Sequence, residues 1–350
     1  MSLKDYKIDY LIGTGKTALV YLALDSAQKE VALKIPRDDV RNDPEQSGRF
    51  ASEVNLSVKL DHPHIVKAYG GIATGPDAYL CLEYFQESSL DQRLARNGRT
   101  DQVTALRYAT QLASALAYIH GQNIVHQDVK AANVFIKNGN VYLGDFGVAI
   151  RTGVHQNVVA GSPFYMAPEI YQGKPSSSAS DVYSLCILIY ELLYGNRPFD
   201  GDSYEALMVA HLTQYPKSLS TRCPDLPKST LRDLDRGLSK KSEERPSASE
   251  LYHSLLKALT RLGGQEYYVP PPELLDWDDE VPIQRPMDTL IEEPQPKTDA
   301  FPGEVSSNGA PILGRHGPPK QPNPPPFKPE ASNQTPEKKG FLGGLFGRKK

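Results

Sequence analysis

Three cysteines, Cys81, Cys186 and Cys223, stand far apart in a chain of 350 residues, with no CxxC pair and no zinc spacing to the eight histidines. That scarcity excludes a disulfide framework and a structural zinc site, and it fits a reducing compartment. A formal net charge of only −3 leaves no global basic field, so nucleic acid is not expected as a partner. Long apolar runs are also missing. The most apolar stretch, Val182 to Tyr194, is short and carries Glu191, so no transmembrane segment is expected. The opening MSLKDYKIDY has no basic-then-apolar secretory pattern, and there is no internal repeat. A soluble, cytoplasmic protein is the expectation.

What is present can bury a core: 39% of residues are hydrophobic and 23% charged, a globular balance. Composition shifts near residue 264, and 17 of the 29 prolines fall in the last 87 residues. Apolar periodicity stops there as well, so residues 263–350 are expected to form a proline-rich, disordered tail. Residues 1 to about 85 read as strands around one helix: Val20 to Leu24, Val31 to Ile35, a helix from about Glu45 to Leu60, then Tyr79 to Leu82. From about 88 to 262 the pattern turns helical, with Leu112, Ala115, Leu116 and Ile119 on one face and Val182, Leu185, Cys186, Ile189 and Leu193 on another. Val134 to Ile136 and Val141 to Leu143 flank an Asn138-Gly139 pair, a hairpin signal.

The chemistry-bearing residues are concentrated in a few stretches. His126 to Asn133 reads HQDVKAAN, and Asp145-Phe146-Gly147 begins twelve residues after Asn133. Asp128 is placed to accept a proton from an attacking hydroxyl, Lys130 to neutralise a transferring phosphoryl group, and Asn133 with Asp145 to offer hard oxygen ligands to magnesium. Lys34 lies on a strand of otherwise buried residues, so it needs a counter-charge or a bound anion, and Glu53 on the next helix is a suitable partner. The run Gly13-Thr14-Gly15-Lys16-Thr17-Ala18 lets backbone amides approach phosphate. A Walker A reading of GTGKT fails, because Tyr10 stands where a glycine is required and a strand-like segment follows where a helix is needed.

Taken in order, these motifs resemble the eukaryotic-type (Hanks-type) serine/threonine protein kinase family, bacterial members especially, over residues 6 to about 262. The resemblance implies an α+β, bilobal kinase domain over 1–262, with a β-rich N-lobe of about 1–85 and a mainly α C-lobe of about 88–262. It implies ATP and Mg2+ as cofactors, serine and threonine hydroxyls of proteins as substrates, and autophosphorylation. Asp128, Lys130, Lys34 and Glu53 are then the catalytic set, with Asn133 and Asp145 holding metal. Nucleotide contacts are expected from Gly13, Thr14, Gly15, Lys16, Thr17, Ala18, Val20, Ala32, Lys34, Glu83, Phe85, Asn133 and Asp145. Leu82 to Phe85 resembles the hinge, with Leu82 at the gatekeeper position. Asp181 resembles the brace of the catalytic loop, Ala167-Pro168-Glu169 the end of the activation segment, and Arg245 the partner of Glu169. Lys130 and Ser162 resemble the serine/threonine branch.

Two positions depart from the family. Ala18 replaces the third loop glycine, which matters only if positive φ is needed there. Gln127 replaces the arginine that precedes the catalytic aspartate and would bind a loop phosphate, so activity is expected not to require loop phosphorylation at Thr152 or Ser162. Another cation, Arg151 or Lys16, would have to serve instead. The alternative is a pseudokinase scaffold that binds nucleotide and presents its tail. In that tail, Pro318 to Pro329 holds overlapping PxxP patterns, read as a spacer or a docking ligand. Trp277-Asp278-Asp279-Glu280 is read as a second short contact motif or as solvated linker acids. The tip, Gly340 to Lys350, sets apolar residues beside basic ones and is expected to dock on a protein partner rather than a membrane.

Overall fold

The computed structural model describes residues 2–153 and 161–264. The chain divides into two units, 1–286 and 287–350, and everything described lies in the first. It is an α+β protein built as two lobes. The N-terminal lobe carries β1 (Lys7–Thr14), β2 (Ala18–Leu24), β3 (Glu30–Pro36), α1 (Asp38–Asn42), α2 (Pro44–Lys59), β4 (Ala68–Ile72) and β5 (Tyr79–Glu83). Its five strands pair antiparallel in the order β1-β2-β3-β5-β4. The sequence reading places the helix and three of these strands correctly. It does not identify β4 and does not anticipate the one-turn α1.

Side chains alternate across this sheet, and the alternation sets the position of Lys34. Val31 and Leu33 point into one small core with Tyr6, Ala23, Tyr79 and Cys81. The opposite face packs on α2, where Phe50 and Val54 meet Ala68, Ala78 and Leu80. Lys34 follows Leu33 and therefore turns toward α2. Helix α2 begins at Asp43, whose side chain accepts the Gln46 amide at 2.9 Å, with Pro44 in its first turn. Its buried residues Phe50, Glu53, Val54 and Ser57 are spaced by three or four, which brings Glu53 onto the face that meets the sheet.

The C-terminal lobe continues with α3 (Leu90–Asn97), α4 (Gln102–Gly121), β6 (Ile124–Val125), β7 (Val134–Lys137), β8 (Asn140–Leu143) and β9 (Ile150–Arg151). It ends with α5 (Pro168–Tyr171), α6 (Ser178–Tyr194), α7 (Tyr204–Thr213), α8 (Lys228–Gly237) and α9 (Ala248–Arg261). The core is centred on α4 and α6, which are buried on nearly every face, well beyond the single faces that the sequence pattern marks. Helix α4 starts at Asp101, which accepts the Thr104 amide at 2.9 Å, and α6 stops at Gly195, φ 91°. Between β7 and β8, Asn138 and Gly139 have φ of 51° and 72°, the positive pair that a two-residue hairpin turn requires. Among the described residues, no helix is long and apolar enough to cross a membrane.

Candidate functional site

Lys34 is the meeting point of the two lobes. Its Nζ donates to Glu53 Oε1 at 2.5 Å and to Asp145 Oδ1 at 2.8 Å. Burial alone would lower the lysine pKa, but the charges of Glu53 and Asp145 override it and hold it well above the ordinary lysine value. Burial pushes the Glu53 carboxyl up against the pull of Lys34. Burial also opposes ionisation of Asp145, yet Lys34, by charge and by hydrogen bond, holds that carboxyl below the usual range. Glu53 is thus an enclosed anchor, 4% exposed, whereas the Asp145 side chain is 45% exposed. Asp145 has φ 62°, a left-handed conformation that aspartate tolerates better than most residues.

The loop from His126 to Asn133 follows β6. Asp128 Oδ2 accepts Lys130 Nζ at 2.5 Å and Asn133 Nδ2 at 3.0 Å, and Asn133 Nδ2 also bonds the Asp128 carbonyl at 2.9 Å. Asp128 Oδ1 has no hydrogen-bond partner among the described residues. Asp181, near the start of α6, accepts the His126 amide at 2.7 Å and the Gln127 amide at 2.9 Å, while His120 Nε2 lies 2.9 Å from the same carboxylate. The His126 ring reaches the Gly144 carbonyl at 3.1 Å and packs on Phe146 with centroids 4.8 Å apart. One buried histidine thereby ties the Asp128 loop to the segment that carries Asp145.

The remaining expected residues fall into two groups. Gly13 and Thr14 end β1, and Ala18 opens β2, buried and paired with Pro36. Gly15, Lys16 and Thr17 form the exposed turn between them, closed by Gly15 N–H to the Ala18 carbonyl at 2.9 Å. A Cβ on Gly15 would lie 3.2 Å from that carbonyl oxygen. Ala18 is not among the positive-φ residues, so the missing third glycine is no strain. Val20 pairs with Lys34, and Ala32 pairs with both Leu22 and Leu82. Glu83 ends β5, its side chain bonded to Lys137, and Phe85 packs 5.4 Å from Phe135 and 5.1 Å from Tyr142.

Phe135, which packs on the expected nucleotide-contact residue Phe85, is one that the sequence reading passed over, because Val134-Phe135-Ile136 registers only as a hairpin strand. Gly144 makes room for that ring: an added Cβ would meet Val66 Cγ2 at 2.8 Å and the Phe135 ring at 3.0 Å. Farther along, Arg245 binds Glu169 through two bonds of 2.7 Å. Although burial alone would raise it, that fork holds the Glu169 carboxyl low. Ser162 and Asp128 line one small cavity of about 20 Å3. Arg151 lies in β9, and the Thr152 amide bonds the Asn123 carbonyl at 2.8 Å. The proline-rich motifs, the Trp277 motif and the 340–350 tip lie outside the described residues.

A model of the protein kinase domain matches residues 6–256. The serine/threonine-protein kinase PrkC of Bacillus subtilis is 38% identical over 230 residues, covering 64% of this chain and 36% of its own. PknA of Corynebacterium glutamicum is 35% identical over 233 residues, covering 62% and 49%. PkaB of Streptomyces coelicolor is 32% identical over 272 residues, covering 74% and 64%. The matches thus take in between about a third and two thirds of these relatives' lengths. The two-lobed architecture, a β-sheet lobe followed by a helical lobe, is the bilobal fold of that domain.

Proposed function

The chain belongs to the protein kinase family, and from that membership we propose that it transfers the terminal phosphate of ATP to serine and threonine hydroxyls of proteins, its own included. The observations that carry this reading are the convergence of Lys34, Glu53 and Asp145 and, on the loop that His126 ties to the Asp145 segment, an Asp128 whose Oδ1 has no hydrogen-bond partner among the described residues. Asp128 Oδ1 takes the proton of the incoming alcohol, while Asn133 and Lys130 orient the carboxylate through Oδ2. Lys34, held by Glu53, has its charge ready for the nucleotide phosphates, and the exposed turn over Gly15, Lys16 and Thr17 lets them approach the backbone. Leu82 to Phe85, with Val20, Ala32 and Phe135, surround the base. Lys130 beside Asp128 and Ser162 across the cavity favour aliphatic hydroxyls over tyrosine.

The residues fit a magnesium ion. Asp145 is ionised and open to the cleft, and Asn133 uses its amide nitrogen on Asp128, which leaves Oδ1 as a hard oxygen donor. When bound, that cation supplies charge neutralisation at the phosphates.

The catalytic unit is assigned to 1–262 and the tail to 263–350, with the tail offering a docking peptide to a protein partner. The cytoplasm is the proposed location, supported by the three free, buried cysteines. Gln127 carries no charge to receive a phosphate, so loop phosphorylation is not a requirement for turnover. Phosphate transfer to a protein substrate, compared with Asp128→Asn, tests the reading. The variant should lose roughly 10²- to 10⁴-fold in kcat with nucleotide binding retained. A wild-type chain that binds ATP and transfers nothing, or a variant as active as wild type, contradicts it; the former outcome makes the chain a scaffold.

A further inference from the structure

Gln127 adopts φ 68°, a left-handed conformation that persists in a non-glycine residue only where its surroundings hold it. Three segments do so. Its amide donates to Asp181 Oδ1 at 2.9 Å. Its carbonyl faces Gly161, where an added Cβ would stand 2.7 Å from that oxygen. Its side-chain Nε2 donates to Ser176 Oγ, one residue before Ser177, the N-cap of α6. Gln127 is therefore tied twice to the start of α6, by backbone through Asp181 and by side chain through Ser176. The next residue in the chain is Asp128.

We propose that Ser176 is a positioning residue for the reaction: its bond to Gln127 is a neutral latch that fixes the Gln127–Asp128 peptide and holds the Asp128 carboxylate toward the acceptor site. The proposal rests on the reading of Asp128 as proton acceptor. An arginine at 127 would reach its bracing partner through a phosphate, whereas an amide-to-hydroxyl bond needs neither phosphate nor charge and is indifferent to salt. Gln127 Oε1 has no protein partner among the described residues. The cavity of about 20 Å3 lined by Gln127, Asp128, Ser162 and Ser176 has room for one water to satisfy it. The latch thus supplies the structural reason why this chain can dispense with a charged receptor before Asp128.

A double-mutant cycle tests it, with Gln127→Met, close to isosteric but without a donor, and Ser176→Ala. Each single change should lower kcat roughly 3- to 10-fold, the worth of one hydrogen bond. The double variant should fall no lower than the worse single, with KM for ATP unchanged within about two-fold. Ser176→Thr keeps the hydroxyl and should restore kcat. Amide hydrogen exchange at residues 127–129, read on the intact chain without any turnover, should quicken by a similar factor in both singles and no further in the double. Multiplicative losses, failure of the threonine to rescue, or unchanged exchange overturn the latch. If the wild-type chain transfers no phosphate, the kinase reading falls, while the exchange cycle still decides the latch.

Discussion

Lys34 and the buried histidines show two ways in which this chain handles polar groups taken out of water. Lys34 is kept charged by two carboxylates, the buried Glu53 and the more exposed Asp145, and removing the lysine itself would leave Glu53 buried without its counter-charge, worth about 3–5 kcal/mol in comparable sites. His62, His64 and His211 are instead kept neutral. Burial lowers their pKa values to about 3, about 4 and about 3 respectively, and His62 Nε2 and His211 Nε2 have no partner among the described residues. An unfolded histidine takes up a proton near pH 6.5, whereas these do not until far lower, so the unfolded state binds more protons in between. Stability is therefore complete above pH 6.5 and declines as pH falls toward 4. At pH 5 each histidine should remove about 1–2 kcal/mol relative to pH 7. Denaturant melts at pH 5, 6 and 7 should show this loss, and His62→Gln should shrink it by about one histidine's share. A stability that is flat across that range contradicts the neutral assignment.

At the scale of elements, the strand that the sequence hid and the site that it disclosed have one physical cause. Sequence motifs point to chemistry because few residue types can do it: the motifs single out Lys34, Asp128, Asn133 and Asp145, and in the structure Lys34 pairs with Asp145 and Asn133 with Asp128. Periodicity reports packing only when an element has one buried face. Helix α2 has such a face and was placed within a residue at each end, whereas α4 and α6, buried all round, could be read as helical but not oriented. Strand β4 reads Ala68-Tyr69-Gly70-Gly71-Ile72, and its paired glycines look like a turn. Gly71 is what lets α2 approach: a Cβ there would lie 2.5 Å from the Tyr79 carbonyl oxygen and 3.0 Å from Val54 Cγ1. The Gln127–Ser176 bond was invisible for another reason, since nothing local in sequence joins residues 49 apart. Gly71→Ala should destabilise the fold by about 1–3 kcal/mol and loosen α2, so KM for ATP should rise because Glu53 rides on that helix. A variant with unchanged melting temperature would show that β4 and α2 are not packed this closely.

For the molecule as a whole, the two lobes divide the work between positioning charge and positioning the acceptor. The small lobe supplies Lys34, Glu53 and the glycine turn. The large lobe supplies Asp128, Asn133 and Asp145 on short segments braced by α6. His126 links the two acidic segments, and Asp181, buried with 1% of its side chain exposed, anchors the loop from below. This bracing is preorganisation, which phosphoryl transfer chiefly requires. A scaffold would have no use for Lys34, Asp128, Asn133 and Asp145 together, and the chain has all four. The most direct measurement is to incubate the intact chain with magnesium-ATP and a mixed protein substrate, and to locate the added phosphate by mass spectrometry beside a Lys34→Met control. The account predicts phosphate on serine and threonine, absent from tyrosine and reduced at least about 100-fold in the control. Phosphate on tyrosine alone, or equal incorporation by the control, contradicts it.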